Sequence, residues 1–87
     1  MFYVYVLTQR KSRDIYIGYS GNLRKRIARH QGGSAAKTTK HGDWHLVYYE
    51  AYFSEKDARE RERKLKHYGQ SRAHLLRRIK NSIAGQK

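Results

Sequence analysis

The chain opens on a run of apolar residues whose composition and alternation are typical of a β-strand covered on both faces. Residues 2–8 are mostly aromatic or β-branched. One face carries Phe2, Val4 and Val6, and the other carries Tyr3, Tyr5 and Leu7. A second run of the same kind covers residues 15–19, after a short polar connection. The two runs together predict an antiparallel hairpin.

Beyond the hairpin, the apolar period changes from that of a strand to that of a helix. Leu23, Ile27 and His30 are spaced i, i+4 and i+7, and a Ser-Gly-Asn sequence before them is suited to a turn and a helix cap. We therefore predict a helix from residue 23 to 30 or 31. The segment 32–43 has no periodicity and is rich in Gly, Ser and Thr, which predicts a mobile loop.

A third strand is predicted over residues 44–52, because aromatic and β-branched residues recur there. Simple alternation places Val47 and Tyr49 on one face of this strand, and Leu46 and Tyr48 on the other.

Two helices are predicted in the last third of the chain. Ser54 is followed three residues later by an acid, which resembles a capping box, and the helix that it begins extends to residue 67 or 68. Ser71 is the candidate cap of a further helix. The apolar stripe of that helix consists of Leu75, Leu76, Ile79 and Ile83. The predicted order is strand, strand, helix, strand, helix, helix, in one domain over residues 1–87.

Charge narrows the kinds of partner that this protein can bind. Twenty Lys and Arg residues stand against seven Asp and Glu, so the formal net charge is +13. Half of these cations lie between residues 56 and 80. A surface of this kind binds polyanions such as nucleic acid, ribosomal RNA or an acidic membrane surface. Eight tyrosines offer rings on which bases could stack.

Missing features exclude several other classes. The chain has no Cys, which rules out disulfide staples, thiolate zinc sites and a Cys nucleophile, and is consistent with a reducing compartment. Its apolar runs fall far short of the ~20 residues that span a bilayer, and it opens on no signal-peptide pattern. We expect a cytoplasmic protein without a membrane partner.

One acid among the cations of the second predicted helix is a candidate for chemistry. Glu62 follows Ala58 by four residues and precedes Leu65 by three, so that it falls on the inward stripe. A carboxylate there costs several kcal/mol unless it is paired, hydrogen-bonded or bound to a cation. Periodicity alone favours an ion pair with a neighbouring Arg or Lys, and a metal ion is the alternative.

The hairpin and the first helix carry the other candidates. Arg26 precedes His30 by four residues, and an Arg so placed can hold a phosphate bidentately or can be an ordinary surface cation. His30 can equally be a cation favoured by the helix dipole. Tyr16 shares its face with Gly18, whose missing side chain leaves room for close approach, and Tyr5 lies on the partner strand. Each tyrosine alone is equally suited to covering the sheet.

In combination, these residues resemble the GIY-YIG nuclease domain. The matching motifs are Tyr3-Val4-Tyr5, Tyr16-Ile17-Gly18, Asn22-Leu23-x-x-Arg26-x-x-x-His30 and Ala58-x-x-x-Glu62-x-x-Leu65. They occur in order over nearly the whole chain, with Tyr in place of the leading Gly of the first motif. Residues 46–50 and 58–66 are also similar to the small, basic, stand-alone bacterial branch of the family.

The resemblance implies a mixed α/β protein, of the α+β class. Its three-stranded antiparallel sheet is flanked by about three helices, and the order of the elements is ββαβαα. It implies an endonuclease that hydrolyses phosphodiester bonds in DNA with one divalent metal ion. Since the chain has no room for a separate targeting domain, we expect DNA structure or a protein partner to direct cleavage, in DNA repair or processing.

The resemblance also implies a role for each candidate residue. Tyr16 would help to activate the attacking water, and Tyr5 would orient or support it. Arg26 would hold the scissile phosphate, and His30 would form a hydrogen bond near it. Glu62 would bind Mg²⁺ or Mn²⁺, which uses few protein ligands together with water and phosphate oxygens.

Further cations are predicted to contact nucleic acid outside this set. They are Lys37, Lys40, Arg59, Arg63 and Lys66. Thr38 and Thr39 lie in the same loop as the first two, and Asn81 matches a later Asn of the family by residue type alone. The competing functions are a nucleic-acid-binding module without useful catalysis and an RNA-associated basic protein, and the resemblance favours DNA over RNA.

Overall fold

A computed structural model describes residues 1–9, 12, 14–32 and 44–85, except for the side chains of residues 29–32. The elements within these ranges are β1 (Phe2–Gln9), β2 (Ile15–Ser20), α1 (Leu23–Gly32), β3 (Trp44–Tyr52), α2 (Glu55–His67), α3 (Gly69–Arg78) and α4 (Lys80–Ala84). The loop predicted over residues 32–43 lies, beyond residue 32, outside the described residues. No helix in the described part of the chain is long and apolar enough to cross a membrane.

The strands form a three-stranded antiparallel sheet in the order β2-β1-β3, so the predicted hairpin and the predicted fold class are confirmed. β1 lies at the centre because it is apolar on both faces, and both of its edges are paired. In the registers of the two ladders, Tyr5 faces Gly18 on β2 and Tyr49 on β3. These three residues therefore form one row across the sheet.

A β-bulge corrects the alternation predicted for β3. Val6 pairs with Tyr48 and Leu7 with Leu46, which leaves Val47 as an extra residue. Val47 and Tyr48 both pack on the same side of the sheet. Downstream of the bulge, the faces are exchanged relative to simple alternation, so Tyr49 lies on the side of Leu46 and not on that of Val47.

The two faces of the sheet bury separate apolar clusters. On one face, Val4, Val6 and Ile17 pack against residues of α2, of α3 and α4, and of the junction between the last two: Ala58, Leu65, Leu75, Ile79 and Ile83. On the other face, a smaller cluster is built on Tyr5, Leu7 and Trp44, with Leu23 and Ile27 of α1 against it. The sheet thus separates α1 from α2, α3 and α4.

Local side chains account for the starts of α1 and α2. The Asn22 Oδ1 atom accepts a hydrogen bond from the Lys25 amide at 3.1 Å, and the Ser20 hydroxyl accepts one from the Asn22 amide. The Ser54 hydroxyl accepts one from the Asp57 amide at 3.3 Å. These contacts satisfy N-terminal amides that the helices leave without intrahelical partners.

The last predicted helix is two helices, α3 and α4. Ile79 separates them, with backbone angles of −107° and 23° that lie outside the helical range. α3 begins at Gly69, so Ser71 is inside the helix and is not its cap, contrary to the prediction. The break leaves Leu75, Ile79 and Ile83 in contact with the same cluster. The predicted apolar stripe is therefore confirmed, but the helix that carries it is interrupted at Ile79.

A half-buried carboxylate ties α2 to β3. Arg61 holds Glu50 with two guanidinium nitrogens, at 2.9 Å from Nε to Oε1 and 3.0 Å from Nη2 to Oε2. The Tyr48 hydroxyl donates to Oε2 at 2.6 Å, and the Tyr52 hydroxyl donates to Oε1. Burial alone would raise the pKa of Glu50, but these hydrogen bonds and the charge of Arg61 hold it below its ordinary value.

Replacing Glu50 with Gln is expected to lower the free energy of unfolding at pH 7 by about 2 kcal/mol, since Arg61 loses its partner. The pKa of Glu50 is lower in the folded state than in the unfolded state. Its stabilisation is therefore present above the unfolded-state pKa and is lost as the pH falls through the folded-state pKa. Urea denaturation at a series of pH values should show the difference between parent and variant shrinking below about pH 4.5.

The matched control is Glu60→Gln, because Glu60 pairs with Arg63 on the exposed surface of α2, the helix that also carries Arg61. That pair should contribute less than about 1 kcal/mol. A Glu50→Gln difference that stays constant from pH 7 to pH 3 would contradict the assignment.

Candidate active site

Two tyrosines and a glycine meet on the α1 face of the sheet. Tyr5 is fully buried, and its ring lies 6.2 Å from that of Tyr16 between centroids, tilted by 43°. A Cβ atom at position 18 would lie 2.5 Å from both Cζ and the hydroxyl oxygen of Tyr5, and 3.0 Å from Cε2 of Tyr16. Gly18 is therefore required sterically, because any side chain there would displace the Tyr5 ring.

Arg26 of α1 joins this pair. The charge of its guanidinium lies close enough to the Tyr5 hydroxyl to lower the pKa of Tyr5, whereas the neighbouring Tyr16 raises it. Leu23 and Ile27 turn α1 toward the sheet, and at 100° per residue Arg26 lies on one flank of that apolar stripe. We call Tyr5, Tyr16 and Arg26 the tyrosine–arginine cluster.

The two tyrosines of this cluster are not equivalent. Burial, followed by the nearby Tyr16, raises the pKa of Tyr5 to about 12 even though Arg26 opposes the shift. Tyr5 consequently keeps its proton at neutral pH and can act as a hydrogen-bond donor. Tyr16 is only half-buried and packs edge-on against Trp44, with ring centroids 6.2 Å apart. It is the member of the pair that solvent can reach.

Glu62 lies on the other face of the sheet, on α2. Its neighbours along the stripe, Ala58 and Leu65, are both fully buried. The Glu62 side chain is 21% exposed and forms an ion pair with Lys66 at 2.9 Å. The structure thus has the ion pair that periodicity favours, and it does not place Glu62 in the same cluster as the tyrosines.

Contacts on either flank of α2 locate Glu62 relative to β2. On one flank, Tyr19 of β2 donates to Glu55 at 2.9 Å, and the Arg59 guanidinium lies 4.4 Å from the centre of the Tyr19 ring. On the other flank, Arg61 reaches β3. Glu62 follows Arg59 by three residues and is on the β2 flank. Tyr16 therefore lies on one face of the edge strand β2. The flank of α2 that carries Glu62 lies against the opposite face of that strand.

The donor set is compatible with a sparsely ligated divalent ion. Among the described residues, no group of three or more acidic or His side chains could hold a metal by itself. Mg²⁺ usually keeps several waters and is held by one or two carboxylates and substrate phosphates. Glu62 could supply such a carboxylate, provided that Lys66 releases it.

Other predicted residues lie on the surface or outside the described part of the chain. Arg59, Arg63 and Lys66 are exposed, and each forms an ion pair with a glutamate on α2. His30 belongs to α1, but its side chain is outside the described residues, as are Lys37, Thr38, Thr39 and Lys40. Asn81 is exposed on α4.

Sequence reasoning missed one feature of the α1 face. An open cleft of about 640 Å³ lies between α1 and the sheet, lined by Tyr3 and Tyr49 among others. The bulge in β3 explains the omission, because simple alternation assigns Tyr49 to the opposite face. The Glu50–Arg61 pair was also missed, since nothing in its local sequence distinguishes it from surface charges.

Comparison with known proteins places these residues in a family. A family model described as the GIY-YIG catalytic domain matches residues 1–74. A UPF0213 protein of Pediococcus acidilactici is 39% identical over 84 residues, which cover 93% of this chain and 83% of that protein. Another, from Clostridium perfringens, is 41% identical over 63 residues, 71% of this chain and 67% of that protein.

A solved structure agrees with the sequence comparisons. The solution NMR structure of a UPF0213 protein from Bacillus halodurans is similar with a TM-score of 0.57 and 33% sequence identity. The similarity covers 92% of this chain and 86% of that one.

Proposed function

This chain belongs to the GIY-YIG family of nuclease domains, and from that premise we propose that it is a divalent-metal-dependent endonuclease that hydrolyses phosphodiester bonds in DNA. The observation that carries the proposal is the convergence of Tyr5, Tyr16 and Arg26 over Gly18 on one face of the sheet. A guanidinium beside two phenols suits a site that holds a phosphate and orients a water molecule.

In the proposed mechanism, Arg26 holds the scissile phosphate and stabilises the charge that develops on its oxygens. Burial raises the pKa of Tyr5 to about 12, so this residue remains protonated. As a hydrogen-bond donor it keeps the neighbouring groups of the site in position. Tyr16 accepts a hydrogen bond from the attacking water and orients it. Tyr5 is fully buried, so its ring is held in place and little reorganisation of it is needed at the moment of reaction.

Glu62 is the proposed carboxylate for Mg²⁺ or Mn²⁺. A bound divalent ion would lower the pKa of a water and neutralise charge on the phosphate. The carboxylate must exchange its partner Lys66 for the ion, and Lys66 is then free to contact the DNA backbone. His30 is proposed as a hydrogen-bond donor near the phosphate.

Charge supports a nucleic-acid substrate, since the net charge is +13, and the family favours DNA. We propose that Arg59, Arg63 and Lys66 contact the backbone with Lys37 and Lys40, and that DNA structure or a protein partner directs cleavage. A cytoplasmic role in DNA repair or processing is the corresponding biological proposal.

The proposal is tested by incubating the purified protein with supercoiled plasmid and with single-stranded, duplex and branched oligonucleotides, in Mg²⁺, in Mn²⁺ or in EDTA. Cleavage is expected with a divalent ion and should fall to background in EDTA, because neither phenol is a strong base unaided. RNA of the same sequence serves as the comparison substrate. Binding to these DNAs without cleavage in either metal would replace the proposal with a nucleic-acid-binding module.

A further inference from the structure

The cleft on the α1 face is aromatic on one wall and basic at its rim. Tyr3 and Tyr49 meet edge to face, with ring centroids 5.9 Å apart and planes at 65°. Tyr49 is 53% exposed although it lies on a sheet face. α1 forms the opposite wall and contributes Leu23, Ile27 and, at the rim, Arg24. The volume of about 640 Å³ is in the usual range for small-molecule sites.

The cleft is adjacent to the tyrosine–arginine cluster. Tyr49 pairs directly with Tyr5 across the β1–β3 ladder, so its backbone is one strand spacing, roughly 4.8 Å, from that of Tyr5. Tyr3 precedes Tyr5 by two residues on the same face of β1. α1 connects both sites, because Leu23 and Ile27 line the cleft while Arg26 reaches Tyr5.

The chemistry of the walls favours a nucleobase as the occupant. Bases stack on aromatic rings through π-faces that every base has, and their phosphates require cations nearby. The exposed Tyr49 ring supplies the first feature, and Arg24 and Arg26, on the two flanks of α1, supply the second. An apolar peptide or a lipid chain would not need the Arg24 cation that lines the cleft.

We propose that this cleft binds an unpaired nucleobase next to the phosphate held by Arg26, with Tyr49 as the stacking platform. The proposal rests on the proposed nuclease function for the identity of that phosphate. A base inside a duplex is already stacked and paired, so it must leave the helix to enter. The preferred substrate is therefore nucleic acid with an unpaired base at the cleavage point.

The test measures binding in EDTA, so that no metal-dependent cleavage interferes. Fluorescein-labelled 12-nucleotide DNA is compared with a fully abasic strand of the same length, which keeps every phosphate and lacks every base. The parent protein is expected to bind the base-bearing strand at least about 5-fold more tightly. Tyr49→Ala should remove that preference. Tyr49→Phe should keep it, because Phe retains the aromatic ring and lacks only the hydroxyl.

Phe53→Ala is the matched control, because Phe53 is an aromatic residue with 90% exposure that does not line the cleft. It should leave the ratio of the two affinities unchanged. Circular dichroism of each variant verifies the fold, and the salt dependence of binding should be the same for parent and Tyr49→Ala, since the phosphate contacts are retained.

Three results would overturn the proposal. The preference for the base-bearing strand over the abasic strand could be the same in the parent and in Tyr49→Ala, or it could be lost in Phe53→Ala as well. The third result is sedimentation of the protein as a dimer that depends on Tyr49. A base preference that depends on Tyr49 would support the cleft assignment even if the parent cleaved no DNA. In that case the proposed catalysis would fail and the binding site would stand.

Discussion

Replacing Glu62 with Gln is expected to reduce metal-dependent DNA cleavage by about 10³-fold, with DNA affinity changed less than about twofold. A metal ion contributes several kcal/mol of charge stabilisation in such reactions, and each 1.36 kcal/mol is a factor of ten in rate. Gln keeps the size of the side chain, and it removes the negative charge that would hold the ion. Single-turnover cleavage across an Mn²⁺ titration, together with binding in EDTA, separates these two quantities.

The control for this substitution is Glu60→Gln on the same helix. Glu60 also pairs with a cation, Arg63 at 3.0 Å, but its side chain is 50% exposed where that of Glu62 is 21% exposed. If the metal requires the half-buried carboxylate beside β2, only Glu62→Gln should affect the rate. Equal metal titrations for parent and Glu62→Gln would show that Glu62 is the ion-pair partner of Lys66 and nothing more.

A Glu62→Asp variant sharpens the comparison. Asp retains the charge on a side chain shorter by one methylene group, so the ion would be held less well. We expect cleavage to return in part, at a higher half-saturating metal concentration. The loss in Glu62→Gln would then be traced to metal binding and not to a disturbed helix.

Features determined by neighbouring residues were predictable from the sequence. The hairpin depends on alternation in two short runs, and Ser54 caps α2 through an amide only three residues away. Glu62 was placed on the inward stripe by helical period alone, and its ion pair with Lys66 follows from the same period. The two helical contacts span four residues or fewer, and the hairpin joins two strands that are consecutive along the chain.

Features that depend on tertiary packing were not predictable in this way. The bulge at Val47 is a feature of the pairing of β3 with β1, and it decides on which face Tyr49 lies. The Glu50–Arg61 pair joins two residues that are eleven positions apart and lie on different elements, β3 and α2. The tyrosine–arginine cluster was expected only through the family resemblance, because no local rule brings Arg26 of a helix to Tyr5 of a strand.

Replacing Arg26 with Ala is expected to lower the cleavage rate by about 10²–10³-fold, the usual cost of one donor that stabilises transition-state charge. It should also weaken DNA binding, because one phosphate contact disappears and the slope of log affinity against log salt becomes shallower by roughly 0.9 on duplex DNA. Lys25→Ala removes the adjacent exposed cation and should alter the rate less than about twofold.

Arg26→Lys distinguishes charge from geometry. Lys keeps the positive charge and lacks the planar fork that binds two phosphate oxygens at once. If the guanidinium geometry matters, affinity should return to near the parent value while the rate stays well below it. Equal cleavage rates for the parent and Arg26→Lys would show that only the charge at position 26 matters, and they would contradict bidentate phosphate binding.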